Sequence, residues 1–261
     1  VESTPDLGSF DWILINTSGG KDSSVAAWFV VKRARELGIL DRVRAVHATF
    51  PEEWQDAENV CRRQCEQLGI PVEVVSRGES LLDYVRRRQM WPSSKARYCT
   101  SDFKRAPIDK VITHLPAPAG RKTRVLNVMG LRSQESPARA KKTPYERDNR
   151  RSNSKRDVYT WLPIFAWSES DVWSLIREEK IPSGCCYDLG FTRMSCRICI
   201  FANRNTLLAA AEKHPELFKA YVDVEKEIGH TFKADLALGD VWKAHQDGER
   251  ASGPLTFSNA L

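Results

Sequence analysis

Long apolar runs are missing from this sequence. None approaches the roughly 18 residues that a membrane-spanning helix needs, so neither a helical span nor a membrane partner is expected. The opening Val-Glu-Ser-Thr-Pro-Asp lacks the basic and apolar regions of a secretory signal. It also lacks an initiator Met, so a trimmed natural terminus is expected. A strong excess of one charge is absent too: 40 Lys and Arg against 34 Asp and Glu leave +6. That balance permits an anionic partner, nucleotide or nucleic acid, without demanding one. Cysteine is not scarce, but seven is an odd number, and 261 residues can build their own core. This argues against a secreted disulfide scaffold. A reducing cytoplasm is the expected setting, where clustered cysteines point to metal or redox chemistry.

Strand and helix patterns alternate in the first half. Apolar runs predict strands at 12–16, 43–48, 72–75 and 125–131, and amphipathic stretches predict helices at 23–36, 55–68, 80–90 and 103–115. Short connections between them imply an α/β fold, a parallel twisted sheet flanked by helices. From 139 to 156 the chain carries eight Lys or Arg against two acids, and a mobile excursion is expected there. Helices are predicted again at 169–179, 205–213 and 215–227, the first opened by a capping box of Ser168 and Asp171. The tail from Gly248 is expected to fray. The predicted division is a nucleotide-binding core over 1–165 and a cysteine-containing helical portion over 166–261. No internal repeat is present.

Between the first strand and its helix lies INTSGGKDSS, residues 15–24. In an open parallel sheet, ligands bind outside the carboxyl ends of the strands. Gly19 and Gly20 allow close approach of backbone to ligand. Several amides can then face one anion at a helix N-terminus. Lys21 adds a positive charge, Asp22 can hold Mg²⁺ or cap the helix, and Ser18 and Ser23 can bond phosphate oxygens. The glycine spacing is neither G-x-x-x-x-G-K-[ST] nor G-x-G-x-x-G.

The spelling S-G-G-K-D-S resembles the PP-loop of the ATP pyrophosphatase superfamily, whose members cut ATP between the α and β phosphates. RYCTSDFKRAPI (97–108), GLRSQESPAR (130–139), LPIFAWSESDVW (162–173) and YDLGFTRMSCRIC (187–199) resemble, in order, segments of phosphoadenylyl-sulfate reductase-like proteins. The resemblance implies an adenine nucleotide alpha hydrolase-like fold with a helical C-terminal portion, and ATP with Mg²⁺ as ligands. It places Gly130, Arg132, Glu135 and Arg139 at the nucleotide, and adenine near Ala48, Thr49 and Phe50. Arg132 and Arg139 carry guanidinium forks suited to phosphate or sulfate. Glu135 either orients Arg132 or acts on substrate or Mg²⁺. Lys104 and Arg105 are candidates for the same anion or belong to an exposed helix face. Lys21, Asp22 and Arg132 are the expected catalytic residues.

Sulfonucleotide reductases carry a nucleophilic cysteine near the C-terminus, whereas the last cysteine here is Cys199. The chain is therefore expected to spend ATP rather than reduce an activated sulfate. Cys196 and Cys199 form C-x-x-C, with Cys185 and Cys186 upstream and Cys99 at a family position. Cys99, Cys186, Cys196 and Cys199 suit a [4Fe–4S] cluster, with Cys185 as the alternative to Cys186. Zn²⁺ or plain thiols are the other readings. One cysteine followed by three downstream is closest to the ATP-pyrophosphatase subunit of DNA phosphorothioation systems. Cys61 and Cys65, spaced i and i+4, follow a buried helix face instead.

Residues 84–98 interleave Arg86, Arg87, Arg88, Lys95 and Arg97 with Trp91 and Tyr98. They form either a nucleic-acid surface or a solvated basic face with one anchoring tryptophan. The leading expectation is an ATP pyrophosphatase that activates a substrate, foremost DNA, for sulfur insertion, with a cysteine desulfurase or other sulfur donor as partner. The alternatives are a sulfonucleotide reductase-like enzyme, a non-catalytic nucleotide- or DNA-binding subunit, and a tRNA thiolation enzyme.

Overall fold

A computed structural model describes residues 4–194 and 196–257. The expected trimmed start at Val1 and the last four residues of the expected frayed tail lie outside the described residues, as does Ser195 of the cysteine segment. Six strands form one sheet: β1 (Trp12–Asn16), β2 (Val43–Thr49), β3 (Val72–Ser76), β4 (Thr123–Met129), β5 (Tyr145–Arg147) and β6 (Arg156–Trp161). Their order is β3-β2-β1-β4-β6-β5, all pairings parallel except β5 with β6. The chain leaves β1 toward β2 and β3, then returns to β4 on the other side of β1. Asn16 pairs level with Met129, so the two strands end together at this switch point. That is where an open α/β sheet forms its crevice.

The central strand shows why both faces are covered. Ile13 and Ile15 point into one apolar layer, and Leu14 into the other. Helices α1 (Lys21–Glu36) and α2 (Ala57–Leu68) supply the first layer. Cys61 and Cys65 are 0% and 2% exposed, as their helical stripe predicts. The second layer is α5 (Ala106–His114), reached from α3 (Leu81–Arg88) through the single turn α4 (Tyr98–Thr100) and the wide turns of Ser101–Arg105. After β4 the chain makes the short turn α6 (Pro137–Ala140). Then follow α7 (Glu169–Glu178), α8 (Arg204–Lys213), α9 (Pro215–Ile228) and α10 (Leu238–Gln246). Ser168 and Asp171 cap α7 reciprocally, as expected. One apolar cluster unites α3, Trp91 and Phe103 with α8, α9 and α10.

Three expectations are corrected and one open reading is decided. The basic stretch 139–156 is an ordered hairpin, because Asp109 from α5 joins the nearby Asp148 and Asp157 in neutralising it. Arg150 and Arg151 pair with Asp109, Arg147 with Asp157, and Arg151 also with Asp148. Of the two readings of Trp91 the anchoring one holds: it is 1% exposed, lies flat on Tyr221 and meets Phe232 edge-on. The tail packs back, with Leu255 buried and bridged to Phe191, and Phe257 bridged to Ala202. Helix α10, absent from the predicted elements, closes the C-terminal cluster through Leu238 and Val241.

Candidate functional site

The glycine loop occupies the switch point. Gly19 has φ +73°, a left-handed conformation that suits glycine. A Cβ there would lie 3.0 Å from the Ala57 carbonyl. Gly130, just after β4, is needed for a different reason. Its Cβ would fall 2.5 Å from the Asp22 carbonyl oxygen and 2.6 Å from Ser23 Cα, so β4 and the first turn of α1 touch backbone to backbone.

Above the loop lies a cavity of about 280 Å³. Ser18, Gly20, Asp22 and Ser23 of the loop line it together with Glu135, Arg139, Cys99, Cys196 and Cys199. A second, wider cavity of about 770 Å³ shares Arg97, Lys104, Glu135, Arg139 and Arg193 with the first. Lys104 and Arg105 face these cavities rather than an exposed helix surface alone.

The charged residues of the loop are already engaged. The Lys21 ammonium donates to Asp22 (3.1 Å) and to the Thr192 carbonyl (3.1 Å), with Glu169 at 3.5 Å. Lys21 is 4% exposed and turns toward the C-terminal segment, not into the cavity. Asp22 also accepts from Arg132 Nε. Arg132 is thereby a buried clamp on Asp22, with no guanidinium nitrogen lining the cavity. Glu135 accepts the Arg132 backbone N–H at 2.8 Å and pairs with Arg139. Its carboxylate therefore orders the loop between the two arginines without gripping the Arg132 side chain. Thr49 and Phe50 stand apart. Phe50 is buried edge-on to Phe103, and both residues border a separate cleft beside Trp54 and Glu79.

Loop amides are divided between internal partners and open positions. The Lys21 N–H donates to the Tyr187 hydroxyl at 2.8 Å, and the Ser18 N–H to Ser23 Oγ at 3.2 Å. Gly19 N–H reaches Thr17 Oγ1 at 3.4 Å. Among the described residues the amides of Gly20, Asp22 and Ser23 take no partner, and they sit at the start of a 16-residue helix. This is a site for an anion.

All seven cysteines are thiols. Cys99, Cys196 and Cys199 are close enough to influence one another's ionisation; burial, then Cys199, holds the Cys99 thiol above its ordinary range. Lys104 faces the same trio and Glu53; burial disfavours its charge, but these acidic groups outweigh burial and raise its pKa. The expected fourth ligand is not there. Cys186 is buried among Trp54, Ala57, Phe191 and Ala209, with burial pushing its thiol up to about 12. The alternative, Cys185, is exposed, and its amide donates to Asp56 at 2.7 Å. The adjacent pair thus anchors the segment to α2 instead of joining the trio. Among the described residues no group of three His, Cys, Asp or Glu side chains is arranged to hold a single metal ion. Cys99, Cys196 and Cys199 share the lining of one cavity, and these are the thiols available there to an iron–sulfur cluster, whose ligands attach to separate irons.

Sequence reasoning passed over four contributors. Tyr187 and Arg193 lie within the quoted segment 187–199, so the signal was present. Arg193 lines both cavities, and burial lowers its pKa. Gln64 donates to the Gly19 and Pro182 carbonyls, tying loop to cysteine segment, and His47 sits beneath the loop. Gln64 carries no local motif, whereas His47 opens the segment HATFPEEW, whose resemblance points to adenine instead.

The architecture is an open, mostly parallel α/β sheet with a glycine-rich loop at its switch point. The profile of the phosphoadenosine phosphosulfate reductase domain matches residues 13–202, and the chain belongs to that family. An uncharacterised protein of Methanocaldococcus jannaschii is 29% identical over 231 residues, covering 88% of this chain and 51% of its own length. One from Escherichia phage 186 is 30% identical over 152 residues, covering 58% and 44%. The chain thus spans about half the length of the relatives it matches. Among solved structures, phosphoadenylyl-sulfate reductase of Candida auris aligns with 14% identity and TM-score 0.47, covering 73% of this chain and 84% of that one. The U34-tRNA thiolase NcsA of Methanococcus maripaludis, solved with its [4Fe-4S] cluster, aligns with 12% identity and TM-score 0.49, covering 100% and 81%. No helix among the described residues is long and apolar enough to cross a membrane.

Proposed function

We propose that this chain is an ATP pyrophosphatase that activates an acceptor for sulfur insertion. One observation carries the reading: a single cavity is lined both by Ser18, Gly20, Asp22 and Ser23 of the glycine loop and by Cys99, Cys196 and Cys199. The loop amides and the α1 N-terminus bind the phosphates. Asp22, facing the cavity between Lys21 and Arg132, is the ligand for Mg²⁺. Lys21 is held one contact away and reaches the phosphates when its bonds to Thr192 and Glu169 exchange. Cleavage between the α and β phosphates yields AMP and pyrophosphate, and preorganised amides stabilise the developing charge.

The three thiols hold an iron–sulfur cluster, which when bound supplies a site for relaying sulfur. Arg97, Lys104, Arg105, Lys142 and Arg193 around the wider cavity receive the acceptor's phosphates. The acceptor we favour is the DNA backbone, and the sulfur comes from a cysteine desulfurase or similar donor in the cytoplasm.

The test is product analysis after incubation with ATP and Mg²⁺. AMP and pyrophosphate are expected, and Lys21→Ala abolishes them. ADP as the main product refutes the assignment. Mass spectrometry of DNA from cells with and without the gene and its neighbours then identifies the acceptor. Phosphorothioate linkages support DNA, whereas thiolated tRNA or sulfite release from a sulfonucleotide redirects the reading.

A further inference from the structure

A buried histidine lies directly under the phosphate loop. His47, on β2, is 1% exposed, and its Nδ1 is 3.1 Å from the carbonyl oxygen of Thr17. A carbonyl can only accept, so Nδ1 carries the proton. On the other side, Nε2 lies 3.1 Å from a carboxylate oxygen of Glu53, itself 6% exposed; the contact is an ion pair rather than an aligned hydrogen bond. Cys61 Sγ is 3.4 Å from Nδ1 and 3.6 Å from Thr17 Oγ1, closing the group against α2. Glu53 also bridges through its backbone to Cys196. One contact chain therefore runs from loop to imidazole to carboxylate to the cysteines.

The peptide plane gives this arrangement a consequence. In a trans peptide the C=O and the following N–H point in opposite directions. Anchoring the Thr17 carbonyl downward on His47 aims the Ser18 N–H upward. There it meets Ser23 Oγ, and both Ser18 and Ser23 line the cavity. Donation into the carbonyl also polarises the peptide and strengthens the amide as a donor. A buried ion pair is a poor source of stability compared with apolar packing, so its positional effect is the more informative property.

We infer that His47 is a positioning residue for the nucleotide: it fixes the Thr17–Ser18 peptide so that the Ser18 amide holds Ser23 Oγ, and with it the first turn of α1 and its open amides, in place for the phosphates, with Glu53 holding the imidazole. This rests on the loop being a nucleotide site.

The experiment is titration with ATP and a non-hydrolysable ATP analogue, with AMP formation followed separately. The background is Glu53→Gln, which removes the carboxylate that would otherwise be left buried and unpaired. On it, His47→Asn keeps an N–H near the Nδ1 position, and His47→Leu removes it. His47→Leu is expected to weaken nucleotide binding about tenfold, the scale of one lost charge-assisted bond, while His47→Asn stays within about threefold of the background. A folded leucine variant that binds as tightly as the background overturns the inference, and so does equal weakening in both variants. If the leucine variant does not fold, the asparagine variant decides alone: a tenfold loss in it is the overturning result. A parent protein that binds ATP but forms no AMP defeats only the pyrophosphatase reading. One that binds no nucleotide defeats both.

Discussion

Gly130→Ala tests the closest backbone contact in the site. The added methyl would start 2.5 Å from the Asp22 carbonyl oxygen, and an ordinary contact begins near 3.4 Å. The first turn of α1 and the end of β4 must separate by the difference, roughly 1 Å. Nothing soft can absorb this, because the nearest atoms are all backbone: Asp22 O, Asp22 C and Ser23 Cα. Overpacking of this kind costs about 1–3 kcal/mol, which for a chain of this size lowers Tm by several degrees. The displaced turn carries the open amides of Asp22 and Ser23, so nucleotide binding weakens as well, by about tenfold or more. Gly239→Ala is the contrasting control. It lies in α10 with nothing within 4 Å of its added Cβ, and the change is expected to stabilise by up to about 1 kcal/mol. Denaturant unfolding and ATP titration of both variants measure the two effects. If Gly130→Ala keeps wild-type stability and affinity, the reasoning from close approach is wrong.

Three further outcomes are expected. Tyr187→Phe removes the hydroxyl that accepts the Lys21 N–H; it lowers stability by about 1 kcal/mol without nucleotide and by less at saturating ATP, as melting curves with and without ligand would show. Anaerobic iron reconstitution fails in Cys99→Ser, Cys196→Ser and Cys199→Ser but succeeds in Cys186→Ala; loss of iron binding on changing Cys186 would refute the three-thiol set. Buried His47 and half-buried His214 tilt the pH–stability curve in opposite directions. Burial opposes charge on His47, but its contacts with Cys61 and the Glu53 carboxylate outweigh this and raise its pKa to about 10. Its contribution is thus full below the unfolded value near 6.5 and is lost as pH rises through about 10. Burial and Arg197 lower His214 to about 4, so its contribution is present above about 6.5 and lost as pH falls through about 4. Unfolding measured across pH 4–10 should show a dome, and His47→Gln should flatten its alkaline side.

The loop and sheet were legible in the residues because their signals are local. Apolar runs wrote the strands, Gly19 and Gly20 wrote the turn between β1 and α1, and Ser168 with Asp171 wrote the start of α7. Cys61 and Cys65 showed their buried stripe through spacing alone. Composition misread the segment 139–156, because the acid that neutralises Arg150 and Arg151 is Asp109, some 40 positions away. It left Trp91 open between a stacking platform and an anchor for the same reason: its partner in the core, Tyr221, lies on α9.

By itself, then, the sequence determined the order of elements, the place of the anion-binding corner and a family resemblance that the domain match bears out. Only the tertiary structure decided which side chains share a space. It separated Cys186 from Cys99, Cys196 and Cys199, turned Lys21 toward Thr192, gave Arg132 to Asp22, and brought His47 under Thr17. The physical reason is range. Helix, strand and turn preferences act over a few residues, whereas a site is assembled by packing between segments far apart in the chain.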